Sequence, residues 1–472
     1  MPEETKAAPP LVGWKQSLLK LWKKTPVVFK AVASILIALN AFFALYSRFA
    51  PSSEGRPKEK ASVSSQRISS PVSKTAHPAL PDNPSIAVLP FVNMSGDKEQ
   101  EYFSDGLAEE IIDAISKLRD VFVISRNSSF AYKGKDVKVQ QIAEELGVQY
   151  ILEGSVRKTA DKVRVTARLV DALTGRELMS ERYDRDLKDI FALQDELTMN
   201  VLTAMRVALE PGVVTRDKGT KSLAAYLKVM QATPLAYSRN ERDAAIAKRL
   251  AEEAIALDPN YARPYAVMAR AISAEIRVGK YKDPKHAIQR IDQLARKAVA
   301  LDDSSTAGHV ASYIARLYER DYDGAKSESQ RIIDLEPGGA AGFEFLGVSL
   351  SWNGQYAEAV PVLQKCLRLS PGYVPCLAQL GVSYLFLGKY EEAIAVFKDV
   401  LQREPDRLTT HLNLTAAYVL AGKEPEAHAQ ATEVLKINPN FSLQRYADAH
   451  LLKNRADLLA RVIEPLREAG LK

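Results

Sequence analysis

Histidine and cysteine are scarce in this chain, six and two among 472 residues. Two cysteines cannot build a cysteine-rich metal scaffold. The histidines at 77, 286, 309, 411, 428 and 450 form neither His-Glu-x-x-His nor an i, i+4 pair on one helix face. A Gly-x-Ser-x-Gly nucleophile elbow is missing as well. Ser95-Gly96-Asp97 and Asp105-Gly106 lack the glycine spacing and the lysine of a phosphate cradle. They read as a strand-to-helix turn with capping residues, and Glu109 and Glu110 suit the early turns of the following helix. Asp184, Asp186 and Asp189 lack EF-hand spacing and alternate with Arg182, Arg185 and Lys188, a pattern of solvated ion pairs. The net charge of +6 is modest for this length and no basic block stands out, so nucleic acid is not an expected partner. No catalytic, cofactor-binding or metal-binding residue is assigned, and the chain is not expected to be an enzyme.

What is present is a repeat. Prolines at 337, 371, 405 and 439 recur every 34 residues, and Gly354, Gly388 and Gly422 keep the same period. Ala325, Ala359, Ala393 and Ala427 do so too, while Gly347 and Gly381 are matched by Thr415. A period of this length predicts stacked helix pairs, in which glycine opens the turn within a unit, a small residue lets two helices approach, and proline ends the second helix. Leu377, Leu380, Gly381 and Tyr384 fall on one face of a first helix, and Ala393, Phe397 and Val400 on one face of the next. Neither helix can bury its stripe alone, so the units must stack. Leu377, Leu380-Gly381, Tyr384, Tyr390, Ala393, Phe397 and Pro405 resemble the tetratricopeptide repeat consensus, with Leu377 where that family usually has Trp.

The resemblance implies a groove lined by the first helix of each unit and open to a peptide or partner helix. Its aligned positions here are Glu344 and Val348, Ala378 and Val382, Leu412 and Ala416, with Trp352 and Phe386 near the turn ends. The lysine and asparagine clamp that some relatives use for a C-terminal carboxylate is missing, so an apolar ligand is implied. The same side chains are equally suited to packing on neighbouring units. Cys366 and Cys376 stand five residues before and five after Pro371, level across a turn between units. An oxidising compartment would permit them to form a disulfide; the alternative, which the small-residue position of Cys366 favours, is a pair of buried thiols.

The N-terminal half differs in kind. Residues 1–26 interleave Lys15, Lys20, Lys23 and Lys24 with Trp14, Leu18 and Trp22, as suits a membrane interface. Residues 27–47 form an apolar run long enough to cross a bilayer, with Lys30 able to snorkel. No clean small-x-small cleavage site follows, so an uncleaved anchor is expected in preference to a signal peptide. Lysine and arginine are nearly balanced on its two sides, and the positive-inside rule tilts the N-terminus only slightly to the cytoplasm. That places the later domains in the periplasm, on the inner membrane. Residues 48–83, rich in Ser, Pro, Lys and Ala, read as a flexible tether.

From Ser85 the pattern is strand (Ile86 to Phe91), helix (Tyr102 to Leu118), strand (Val121 to Arg126), helix (Val139 to Leu146). Period-two strands follow at 150–157 and 163–170, then a strand at 177–183 and a long helix from Leu187 to Leu209. This order predicts an α/β sandwich with a mixed sheet. SIAVLPFVNMSGDKEQEYFSDGLAEEII, FVISRNSSFAYKGK, ELGVQYILEGSVRK and ERYDRDLKDIFALQDELT resemble the TolB-like N-terminal domain, a relative of the FlgO-like domain, over residues 84–211. In bacterial membrane proteins that domain precedes tetratricopeptide repeats and is often joined to a class III adenylate or guanylate cyclase domain or a winged helix. Only 26 residues precede Val27 here, so neither fused domain is expected.

The expected architecture is therefore an α+β multidomain chain. It comprises a transmembrane helix, an α/β sandwich, and an all-α solenoid over residues 213–472 closed by a charged, solvent-facing helix pair at 441–452 and 456–468. The expected function is that of a membrane-anchored envelope scaffold for other proteins. A cyclase-associated signalling protein, or a relative of membrane-bound transcriptional regulators, is the alternative.

Overall fold

The computed structural model describes residues 81, 83–207, 219–238, 240–281, 283–449 and 456–472. The expected basic segment and anchor lie outside these residues, as does nearly all of the tether. Among the described residues no helix is long and apolar enough to cross a membrane.

Six strands form one mixed sheet in the order β3-β1-β4-β5-β6, with β2 also paired to β4. They are β1 (Ser85–Val88), β2 (Val92–Asn93), β3 (Phe122–Val123), β4 (Tyr150–Thr159), β5 (Lys162–Asp171) and β6 (Arg176–Asp186). The first four run parallel; β5 and β6 add antiparallel hairpins through the registers Val156↔Val165 and Val165↔Tyr183. Helices α1 (Glu101–Ser116) and α4 (Ile190–Ala204) cover one face, where Leu107, Ile111, Leu193 and Leu197 meet Ile86, Leu152 and Val165. Helix α3 (Val139–Leu146) covers the β1–β3 end of the other, with Ile142 and Leu146 against Ala87 and Ile151. The α/β reading thus holds in element order and differs in extent. The strand expected over Val121 to Arg126 is confined to β3, because the chain turns into the short α2 (Arg126–Ser129) and the Ser125 N–H is drawn to Leu369 O outside the sheet, 2.9 Å away. The long helix begins late and ends at Ala204, where Arg206 turns left-handed (φ 59°) and Val207 N–H closes on Leu202 O.

From Leu223 the chain is helical. Pairs α5 (Leu223–Tyr237)/α6 (Glu241–Leu257), α7 (Arg263–Arg277)/α8 (Lys285–Leu301) and α9 (Thr306–Glu319)/α10 (Tyr322–Leu335) come first. Then follow α11 (Ala340–Trp352)/α12 (Tyr356–Leu369), α13 (Val374–Phe386)/α14 (Tyr390–Arg403) and α15 (Leu408–Leu420)/α16 (Glu424–Ile437). The residues that set the period do the work the pattern implies. Gly354, Gly388 and Gly422 sit left-handed in the intra-unit turns, with φ of 84°, 77° and 70°. Gly381 is the point of closest approach within its pair: a Cβ there would lie 2.5 Å from the Phe397 ring. Ala325, Ala359, Ala393 and Ala427 are all buried. Two further helices, α17 (Leu443–Ala449) and α18 (Ala456–Glu468), end the chain.

Candidate functional site: the face lined by the first helices

The first helices of successive units stack side by side, and two other parts of the chain lie against them. One is the α/β module. Helix α1 packs on α5, where Tyr226 and Met230 join the sheet core, and Glu110 forms an ion pair with Arg263 at the start of α7. Further along, the Gly338 N–H donates to Ser116 O at 2.9 Å. A Cβ on Gly338 would stand 3.0 Å from the carbonyl oxygens of both Ser116 and Val121, so the turn enters only because it has no side chain. The next inter-unit turn repeats the contact. Ser125 Oγ donates to Ser370 Oγ at 2.6 Å, Ser128 Oγ donates to Pro371 O at 3.0 Å, and the Arg368 guanidinium lies over the Phe122 ring.

The other occupant is α18. Its stripe Leu458, Val462, Ile463 and Leu466 is buried in one cluster with Leu412, Leu414 and Phe386. Arg461 reaches across to donate to Phe386 O at 2.7 Å, with its guanidinium 5.0 Å from the ring centre. The C-terminus is fastened beyond it, since the Leu443 N–H donates to Lys472 O at 2.7 Å and Leu471 is buried. The closing helix thus has two sides. Its charges do face outward, but its apolar stripe turns inward onto the first helices.

This changes three of the residues expected to line an open groove. Leu412 and Ala416 are wholly buried, and Phe386 is stacked on Tyr356 at 4.5 Å between ring centres and engaged by Arg461. Their apolar character serves packing within the chain. Glu344, Val348, Trp352, Ala378 and Val382 remain half-buried in the middle of the array. Glu344 accepts a hydrogen bond from Tyr373 Oη at 3.3 Å, and burial lifts its carboxyl to about 7 against the opposing effects of Tyr373 and Arg270. Cys366 and Cys376 are joined as a disulfide across the turn, with their Cα atoms 6.6 Å apart.

Other charged groups gather where sequence reading assigned nothing. Glu109 and Asp113 of α1 face Glu336 and Glu344 of the solenoid around Arg263 and Arg270. Periodicity marks α1 as amphipathic but carries no sign of what its polar side meets. Elsewhere, Ser95-Gly96-Asp97 is a capped turn, Asp97 Oδ1 accepting from the Glu99 N–H at 2.8 Å, and Asp184 pairs with Arg164 and Arg182. A cavity of 860 Å³ opens where the carboxyl end of β1 meets the Tyr132–Val137 loop. Several of its charges are paired internally, Lys133 with Glu101 and Arg168 with Glu153.

Comparison with known proteins agrees with this division. Residues 82–200 match the second domain of the HilA/YgeH-like transcriptional regulators, a different family from the TolB-like domain that the sequence blocks resemble. Residues 353–396 and 387–455 match tetratricopeptide repeats, so the C-terminal region carries repeats of that kind. A curated relative from Rhizobium meliloti (strain 1021), "Putative adenylate cyclase 3", is 41% identical over 252 residues. That covers 53% of this chain and 43% of the relative, so the chain spans less than half of that protein's length. Among solved structures, YrrB, described as a tetratricopeptide protein with an unusual peptide-binding site, is 21% identical and covers 44% of this chain and 97% of its own, with a TM-score of 0.30. PilF of Pseudomonas aeruginosa is 18% identical and covers 49% and 99%, with a TM-score of 0.37.

Proposed function

We propose that this chain is a non-catalytic scaffold, anchored to the inner membrane through residues 27–47, that binds partner proteins through its solenoid in the periplasm. The observation that carries the reading is the middle of the first-helix array, between the docked α/β module and α18. There Val348, Ala378 and Val382 stay half-buried while the positions on either side are taken up by the chain itself. Apolar side chains left partly exposed on an array of helices suit an apolar stretch of peptide or one face of a helix. The TolB-like resemblance, with its setting in membrane proteins, supports the same reading, as do the peptide-binding description of YrrB and the match to tetratricopeptide repeats.

A pull-down from membranes tests it. The unaltered chain is expected to retain a protein partner that is lost from a Val348→Arg, Val382→Arg double variant. No partner, or the same partner on the double variant, would end the proposal. An alkaline phosphatase fusion after Arg48 tests the side of the membrane separately.

A second reading, participation in cyclase signalling, is favoured by the identity to the putative adenylate cyclase. Cyclic-nucleotide synthesis by the purified chain would replace the scaffold reading with it.

A further inference from the structure

Strand β6 is the long open edge of the sheet. It is hydrogen-bonded on one side to β5, and among the described residues no strand lies on its other side. The backbone N–H and C=O groups of alternate residues are thus offered to a further strand. Folded proteins commonly guard such an edge with charge. Here every residue from Glu181 to Asp186 except Tyr183 is charged and exposed.

The two faces of the strand are distinct. Met179 and Tyr183 enter the core, and Glu181 and Arg185, on the same side by the period of two, reach Asn200 and Glu196 of α4. Ser180, Arg182 and Asp184 stand on the opposite face, where Arg182 lines the wide cavity and Asp184 meets Arg164. From Glu181 to Arg185 the signs run negative, positive, tyrosine, negative, positive. Read backwards, this is the same series with every sign exchanged.

Such a series is complementary to itself. A second β6 running antiparallel and centred on Tyr183 sets Glu181 opposite the second copy's Arg185, and Arg182 opposite the second copy's Asp184, each pair occurring twice by symmetry. Other registers are worse. Two copies related by a two-fold axis must centre on a residue, because a half-step would set the α4 face of one against the bare face of the other. Centring on Glu181, Arg182 or Asp184 places that charge against itself, and centring on Ser180 sets Met179 opposite Glu181. Within the chain Arg182 already pairs with Asp184 and Arg185 with Glu196, but these side chains are 41–56% exposed and can be shared across a seam. Exposed pairs of this kind add little binding each, so they select the register while the backbone ladder holds the strands.

We propose that β6 is a self-recognition edge, through which the chain pairs with a second copy of itself by antiparallel strands centred on Tyr183. The two sheets then continue into one another across the pair of molecules. The inference stands apart from partner binding, since none of its residues belongs to the Val348–Val382 surface.

Cysteine pairs test the register. Opposed residues in such a ladder stand about 4.5–5.5 Å apart at Cα, within reach of a disulfide, whereas position 182 and its own counterpart are displaced by two residues, to about 8 Å. Full-length Arg182→Cys and Asp184→Cys chains, co-produced with different tags and oxidised in freshly broken cells with copper phenanthroline, should form a mixed covalent dimer. Its yield should be at least tenfold that of either chain alone. The native cysteines are joined to each other and do not compete. Charge exchange tests the pairing itself. Sedimentation of the purified full chain should show a dimer for the unaltered protein and mainly monomer for Arg182→Asp or Asp184→Arg alone. The two variants produced together should regain the dimer, since unlike chains restore both oppositions. Circular dichroism of each variant checks that it is folded. An unaltered chain that sediments as a monomer, separate variants that stay dimeric, or a mixed cross-link no stronger than the separate ones overturns the proposal. So does cross-linking of either cysteine to a different protein, because the edge then belongs to that partner.

Discussion

Replacing Glu344 by glutamine gives the sharpest test of how the charged side chains at the solenoid face are held. The carboxyl is raised from the ordinary 4.5 to about 7, with burial the main cause and Tyr373 and Arg270 opposing it. A carboxyl raised in the folded state binds its proton more tightly there than in the unfolded chain. Its stabilising contribution is therefore complete below pH 4.5 and is lost as pH rises toward 7. A change of that size corresponds to a loss on the order of 3 kcal/mol between the two limits. Glutamine retains an oxygen to accept from Tyr373 Oη and never ionises. Glu344→Gln should thus match the unaltered chain at pH 4.5 and exceed it in stability at pH 8 by about 2–3 kcal/mol. Urea unfolding followed by circular dichroism at both pH values, with the exposed Glu252→Gln as control, reads the difference. Equal or lower stability of the Glu344→Gln chain at pH 8 would refute the argument, because it would mean that the charged form is welcome where it stands.

Three further outcomes follow from packing. Phe397→Ala, which empties a fully buried ring site against Gly381, should cost about 3–5 kcal/mol and lower the melting temperature. Gly338→Val should lift the inter-unit turn off the α/β module, since its side chain would press on the carbonyls of Ser116 and Val121; hydrogen exchange should then rise at the end of α1 while α14–α16 stay protected. Cys366→Ser should lower stability by about 2–3 kcal/mol through the lost constraint on a loop of ten residues, and thiol titration of the unaltered chain, denatured without reduction, should find no free cysteine.

The sequence made the helical pairs legible because each unit repeats the same physical demands. A left-handed turn needs glycine at 354, 388 and 422, and close helix packing needs a small side chain at 359, 393 and 427. The same register sets Cys366 and Cys376 level across one turn. Strand and helix order in the α/β module was readable for a similar reason, as burial on one or two faces leaves its own period.

What periodicity cannot convey is which surface covers which. Leu412 and Ala416 occupy the positions a groove would use, yet α18, some 45 residues later, lies on them. The charges of residues 456–468 were visible in the sequence, but the direction of the stripe Leu458, Val462 and Leu466 depends on Arg461 finding Phe386, a contact 75 residues apart. The strand at Val121 to Arg126 shortens for the same kind of reason. Ser125 gives its N–H to Leu369, and no local signal records a bond across that distance.

A bare superhelix of helix pairs behaves like a spring, whose curvature responds to whatever it grips. Here the units are held at the turns before α7, α11 and α13 by contacts to one folded body. Stretching or unwinding these units would first have to expel that body, so the bend of the coil and the seating of the module form a single mechanical variable.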